Sequence, residues 1–173
     1  MADSKQTPSK IRFFRRAQSE GLTDAHCLTV EPMSEVQQAG WDKAFAEGLG
    51  HGGEVKVLVN IPGFSLMYVW FKRNYPLPPH SHNADCLYYI IAGGVRMGAE
   101  QLGPGDCFFI PADVPYTYKT SETGVELLEF RHANAINFVN RANGAAFWDK
   151  TLETVFANRE DWQKEPRPSE LAG

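Results

Sequence analysis

Between Glu54 and His132 the chain is a succession of short apolar runs, each cut off after a few residues by a turn signal, and this spacing constrains the fold more than any other feature. Val55, Val57 and Val59 alternate with Lys56, Leu58 and Asn60 up to the turn at Ile61-Pro62-Gly63, and Ser65 to Lys72 is rich in bulky and aromatic side chains. Cys86 to Ile91 is a further run, stopped by Gly93-Gly94. A short segment around Val95 to Met97, the turn Gly103-Pro104-Gly105-Asp106, the run Cys107 to Ile110, the break Pro111-Ala112-Asp113, then Tyr116 to Lys119 and Val125 to His132 complete the series. β-Branched and aromatic residues suit a half-buried pleated surface, and the Gly, Pro and Asp between them supply turn conformations. Short strands with turns at this interval predict a closed or sandwiched antiparallel architecture.

The flanks read differently. Residues 1–10 are polar and are expected to be loose, since they offer little to bury. Within an N-terminal extension over 11–53, a helix is expected from Ser34, a good cap, to Leu49, with Val36, Ala39, Ala44, Phe45 and Leu49 along one side. The glycines of Gly48-Leu49-Gly50-His51-Gly52-Gly53 end it, because their backbone entropy is too costly to hold helical. After the strand region at 54–132, an extension over 133–164 carries a second helix, on which Trp148, Leu152, Val155 and Phe156 recur at helical spacing. The polar, proline-containing end, 165–173, is expected to fray. A chain of 173 residues, 43% of them apolar, can bury one sizeable core, so this is one globular domain with extensions.

Charge and cysteine usage exclude several functions. The net charge is −4 and the lysines and arginines are scattered, so no basic run can follow a phosphate backbone and nucleic acid is not an expected partner. The first residues lack the apolar stretch of a secretory signal, and no window is long and apolar enough to span a bilayer; a cytoplasmic protein without membrane contact is expected. Cys27, Cys86 and Cys107 are far apart and form no CxxC pair, which fits a reducing compartment.

Chemistry concentrates in Pro78-Pro79-His80-Ser81-His82-Asn83-Ala84-Asp85-Cys86. On a strand His80 and His82 point to the same face, so two imidazole nitrogens can reach one ion. If Cys86 faces inward, so do Tyr88 and Ile90. Read alone, Cys86 is as well explained as a small buried apolar residue. Tyr116 and Tyr118 share a strand face and can be core aromatics bonded through their hydroxyls.

The stretch from Pro79 to Gly93 resembles the first motif of the cupin superfamily, HxH followed by an acid and, further on, a glycine: His80 and His82 fit, Cys86 stands at the acid position and Gly93 at the glycine. The second cupin motif, G-x5-P-x-G-x2-H, is matched at Gly105 and Pro111, with Asp113 at its glycine and Tyr116 at its third histidine. The resemblance implies a mainly β fold, the cupin double-stranded β-helix or jelly-roll barrel, of the small RmlC-like kind, with helical extensions at both ends. It does not settle the activity, because the same barrel hosts many chemistries.

The resemblance also implies a divalent transition metal, Fe, Zn, Mn or Ni, on His80 and His82, with Cys86 as a further ligand and Tyr116 as a catalytic acid-base group beside it. Tyr116 itself as a phenolate ligand, Asp85 and His132 are the other candidates to complete the site. Some thiol-oxidising cupins link a cysteine near the acid position to a tyrosine beside iron, which would pair Cys86 with Tyr88, Tyr116 or Tyr118, but those enzymes keep three histidines. Two functions therefore stand open: an enzyme acting on a small organic substrate, aromatic or bearing a carbonyl or acid group, by metal-assisted dioxygenase, isomerase or lyase chemistry, and a non-catalytic small-molecule-binding or sensor cupin with a degenerate metal site. A homodimer is expected in either case, with outward aromatics such as Trp70 or Tyr89 between the subunits.

Overall fold

The computed structural model describes residues 10–171; the expectations for residues 1–9 and for the last two lie outside this span. The chain is mainly antiparallel β, with a helix before the long strands and a long and a short helix after them. In chain order the elements are β1 (Glu20–Gly21), β2 (Leu28–Val30), α1 (Glu35–Ala46), β3 (Gly53–Ile61), β4 (Phe64–Phe71), β5 (His80–Ser81), β6 (Cys86–Met97), β7 (Glu100–Leu102), β8 (Cys107–Ile110), β9 (Lys119–Arg131), β10 (Ile136–Asn140), α2 (Ala145–Trp162) and α3 (Pro168–Leu171). The larger sheet runs β1-β3-β4-β9-β6-β7, with β8 also paired to β6, and the smaller runs β2-β10-β5. In the smaller sheet β10 lies parallel to β2 and antiparallel to β5.

Period-two burial along β6 builds the core: Cys86, Tyr88, Ile90 and Ala92 are buried, while Leu87, Tyr89 and Ile91 are exposed. The inward residues meet Val69 of β4, Val125 and Leu127 of β9, and Tyr116 and Tyr118. A second cluster, Cys27, Val57, Met67 and Ile136, ties the smaller sheet to β3 and β4.

Two expectations about strand limits differ from the structure. The Gly93-Gly94 pair does not stop β6; the strand continues to Met97 through irregularities at Ile90/Ala92 and Gly93/Val95. Gly93 has φ +69°, and a Cβ there would lie 2.2 Å from the Gly124 carbonyl oxygen, so glycine serves a close backbone approach in a bulged strand. Tyr116 to Lys119 is not a strand: Tyr116 makes an isolated antiparallel bridge to His80, and β9 starts at Lys119.

The helices pack partly as their apolar residues suggest: Ala44, Leu49, Trp148, Leu152 and Val155 are buried. Ser34 caps α1 in a reciprocal box with Gln37. Yet Val36 and Phe45 are exposed, and the buried positions are Gln37, Gly40 and Ala44. The reason is a close crossing: a Cβ on Gly40 would lie 2.2 Å from Cγ of Trp148 on α2, so the helices meet through a missing side chain. Ala44, Leu49, Leu152, Val155 and Trp162 fill the space behind them, and Phe156 stays exposed.

The polar end beyond Glu165 is held, not frayed, as far as Leu171. Glu165 accepts from the Arg73 backbone N–H at 2.8 Å, Arg167 bonds Glu54 at 2.9 Å, and the Ser169 N–H donates to Glu126 at 2.7 Å. Trp70 is buried under this segment, with the Arg167 guanidinium 4.6 Å from its ring centre, so it is not available as an outward contact; Tyr89 is exposed. No helix among the described residues is long and apolar enough to cross a membrane.

The Gly40 contact reverses a usual effect. Alanine for glycine inside a helix ordinarily stabilises by about 1 kcal/mol. Gly40→Ala is expected instead to destabilise by roughly 1–3 kcal/mol, because the methyl group drives against the root of the Trp148 ring. Urea unfolding monitored by circular dichroism measures this, and a raised midpoint would refute the close crossing.

Candidate functional site

Proline has no N–H to give a sheet, so Pro78-Pro79 hold the chain extended and hydrogen bonding starts at His80. From there the segment is gripped on both sides. On one, His80 is opposite Asn140 and Ser81 opposite Val139 of β10. On the other, the His80 N–H donates to the Tyr116 carbonyl at 3.0 Å and the Tyr116 N–H to the His80 carbonyl at 2.9 Å. His80 and His82 lie on one face of this segment, both buried, with ring centres 5.0 Å apart.

Backbone carbonyls decide the protonation of both rings. His80 Nδ1 lies 2.7 Å from the Pro78 oxygen and His82 Nδ1 2.5 Å from the Asn137 oxygen. A carbonyl oxygen only accepts, so each Nδ1 carries the proton and each Nε2 is left with its lone pair. The Tyr116 hydroxyl, 2.9 Å from His80 Nε2, must therefore be the donor there, and the Tyr88 hydroxyl must in turn donate to the Tyr116 oxygen. The result is a one-way chain of bonds from Tyr88 through Tyr116 and His80 to the Pro78 carbonyl. No hydrogen bond among the described residues ends on His82 Nε2. Phe138 of β10 stacks on His80 at 4.9 Å, and Phe108 of β8 on Tyr88 at 4.4 Å.

Burial keeps this interior uncharged apart from one ion pair. It is the main cause that pushes the His80 imidazole down to about 3, with His82 and Arg131 adding to it against the Pro78 bond. Burial and then Arg131 hold His82 below its ordinary value. Burial and the Glu129 carboxylate raise the phenols of Tyr88 and Tyr116 well above 10, and the same two causes push the Cys86 thiol up to about 12. At neutral pH the site thus presents two neutral imidazoles, two intact phenols and a thiol.

The ion pair was not anticipated from sequence. On β9 Arg131 Nη2 donates to Glu129 at 2.6 Å and Nη1 approaches the Met67 sulfur at 3.4 Å, while its Nε has no partner. A signal was present: Val125, Leu127, Glu129 and Arg131 have the same parity, so inward apolar residues at the start of the strand put both charges inside.

Of the expected site residues, the structure brings His80, His82 and Tyr116 together. Cys86 is buried on the inward face of β6, but it does not join the histidines: no three His, Cys, Asp or Glu side chains converge among the described residues. Asp85 points away from the barrel, where its carboxylate accepts from the Ala112 N–H at 2.8 Å. His132 has the opposite parity to Arg131 and is exposed, 6.3 Å from the Phe64 ring centre.

The two imidazoles fit a metal ion in one respect, since a carbonyl on Nδ1 is the support that orients a metal-binding histidine. The rest of the donor set fits as a bordering phenol, because Tyr116 keeps its proton and His80 Nε2 is already accepting it.

No protein-family model matches the chain, and no curated protein matches it. Among solved structures, it is similar to KdgF from Halomonas sp. (24% identity, 46% of this chain and 79% of that one, TM-score 0.40). It is also similar to an RmlC-like cupin from Shewanella frigidimarina (23%, 47% and 77%, TM-score 0.43) and to oxalate decarboxylase from Bacillus subtilis (20%, 46% and 25%, TM-score 0.41). The mainly antiparallel β architecture expected from the sequence is present, and the two motif-like segments lie at β5–β6 and at β8 with the loop to Tyr116. At these identities and scores the likeness says nothing about this chain's chemistry.

The buried histidines give the metal-free protein a pH-dependent stability. An imidazole whose folded pKa lies below its unfolded value near 6.5 binds fewer protons folded than unfolded, so stability is complete above that value and is lost as the pH falls. For His80 the window is from about 6.5 down to about 3, and His82 shifts in the same direction. Below pH 6.5 the unfolding free energy of metal-free protein should fall by about 1.4 kcal/mol per pH unit from His80, with His82 adding in the same direction. Stability that stays flat between pH 7 and 5 in urea titrations would mean that the rings protonate in place.

Proposed function

We propose that His80 and His82 hold one divalent transition-metal ion through their Nε2 atoms, and that the chain is a small cupin enzyme acting on a small organic substrate with a carbonyl or acid group. The observation that carries this reading is the pair of Nδ1–H bonds to the Pro78 and Asn137 carbonyls, which leaves both Nε2 atoms unprotonated, His82 Nε2 without a hydrogen bond among the described residues and His80 Nε2 exchangeable only against the Tyr116 hydroxyl. When bound, such an ion supplies Lewis acidity to a substrate oxygen. The chain's own residues do the rest. Tyr116, whose phenol keeps its proton at neutral pH, is the proton donor at the substrate, and Tyr88 steadies its oxygen. Arg131 is held by Glu129, and the pair brings no net charge to the site. Proton transfer from a phenol suits isomerase or lyase chemistry more directly than dioxygenation.

Two observations favour a second reading. His80 Nε2 already accepts from Tyr116, and a guanidinium lies close enough to depress both imidazoles. Both features suit a non-catalytic small-molecule-binding or sensor cupin that takes up no metal. For assembly we propose a homodimer in which the exposed row Leu87, Tyr89, Ile91 and Phe109 on the outer face of β6 and β8 is covered by a second copy; a monomeric mass by light scattering at high protein concentration would overturn it.

Calorimetric titration of metal-stripped protein with Zn2+, Mn2+, Fe2+ and Ni2+ separates the two functional readings. The enzyme reading expects one equivalent bound, with affinity lowered more than about a hundredfold in His80→Ala/His82→Ala and nearly unchanged in Cys86→Ala. Tyr116→Phe should bind more tightly, because it frees His80 Nε2, and should lose turnover. Absence of uptake by the wild type selects the second reading.

A further inference from the structure

Away from the histidines, an open-sided groove of about 710 Å3 runs between the start of α2 and the barrel wall formed by the segment before His80 and by β6 and β9. Its volume lies in the range of sites for small organic molecules. Leu77 and Phe147 give it an apolar lining, and Arg96, Lys119 and Lys150 stand at its walls without any acidic residue among its lining. None of these three cations has an ion-pair partner among the described residues, although the chain carries a net negative charge and its other arginines repeatedly find carboxylates.

Two further observations point to a ligand. Arg96 and Lys119 are direct cross-strand partners on β6 and β9. Like charges in that relation repel and destabilise the pair unless something negative lies between them. The second is Thr151 on α2, which lines the groove with only 2% of its surface exposed and whose hydroxyl has no hydrogen-bond partner. A buried hydroxyl is ordinarily satisfied, here most simply by back-bonding to its own helix as Thr154 does to the Lys150 carbonyl. Thr151 makes no such bond.

We propose that this groove is a second binding site, for a small organic anion with a compact apolar body. The anionic group lies between Arg96 and Lys119 with Lys150 closing over it, the Thr151 hydroxyl bonds one of its oxygens, and the body rests on Leu77 and Phe147. The site is independent of whether His80 and His82 hold a metal.

Phenyl phosphate serves as the probe, titrated into the isotope-labelled full chain at low ionic strength and followed by amide NMR. Saturable shifts are expected at Thr117 to Thr120 and at Phe147 to Thr154, with affinity falling as salt is raised. Arg96→Gln/Lys119→Gln should weaken binding at least about tenfold and Thr151→Val by several-fold. Benzyl alcohol, similar in body but uncharged, should not saturate. The ligand-free double variant should be at least as stable as the wild type, since it loses a repulsion; this also guards against a folding artefact. The proposal is overturned if phenyl phosphate does not saturate below about 10 mM, if the shifts lie elsewhere, if the double variant binds equally well, or if inorganic phosphate binds as tightly, which would deny the apolar lining a role.

Discussion

The site and the fold around it depend on one joint, between His80 and Tyr116. Two backbone bonds at 3.0 and 2.9 Å and a side-chain bond at 2.9 Å connect the same two residues. Neither the loop before His80 nor the loop before Tyr116 pairs with the larger sheet through a regular ladder, so this bridge fixes how the two motif segments face each other. The side-chain part is as consequential as the backbone part. A buried phenol left unpaired costs about 1–3 kcal/mol, and so does a buried imidazole lone pair, so each group supplies what the other needs. Because the carbonyls of Pro78 and Asn137 can only accept, the whole network has one direction. Tyr116 is thus the residue that holds His80 in place through both its backbone and its side chain.

A second set of bonds works from outside. The outward face of β4 and β9 would leave Tyr68, Trp70 and Glu126 in water, but the chain returns to cover them. Glu126 accepts from Tyr68 and from the Ser169 N–H, Trp162 donates to the Arg73 carbonyl at 2.9 Å, and Arg16 and Arg167 lie over Tyr68 and Trp70. Charged side chains here act partly as apolar covers, their stems and planar heads lying on aromatic rings. The outer row of β6 lacks such a cover, which is why Leu87, Tyr89 and Ile91 remain exposed beside a well-sealed neighbour.

Much of this was legible in the sequence, and for a common physical reason: strand burial has period two and turns have their own chemistry, so β3, β4, β8 and most of β9 could be located from residue type alone. The His80–His82 pair was legible in the same way. What was hidden depends on contacts that no local pattern records. Gly93 reads as a stop because glycine has two uses, and only the nearness of Gly124 shows that this one permits a bulge. Val36 and Phe45 read as the buried side of α1, yet Gly40 sets the docking because Trp148 happens to stand opposite. The tail beyond Glu165 reads as polar and loose, although its polar groups are what attach it. Tyr88 could be read as inward, but its bond to Tyr116 crosses the barrel and has no signature along the chain.

The charge balance of the interior joins these points to the chemistry. Arg131 and Glu129 cancel, and the histidines, phenols and thiol are neutral, so the inside of the barrel carries no net charge at neutral pH. Placing a divalent cation among neutral donors in a poorly solvated space leaves its charge uncompensated, and a buried uncompensated charge is expensive. A phenolate or thiolate could offset it, but burial and Glu129 both oppose losing those protons. The remaining source of negative charge is the substrate. On the metal-dependent reading, an acid substrate and the ion therefore each lower the cost of the other's entry, and reciprocal coupling between their affinities follows from linkage. On that reading the coupling exists because the buried donors are neutral; a carboxylate among them would offset the ion's charge and remove it.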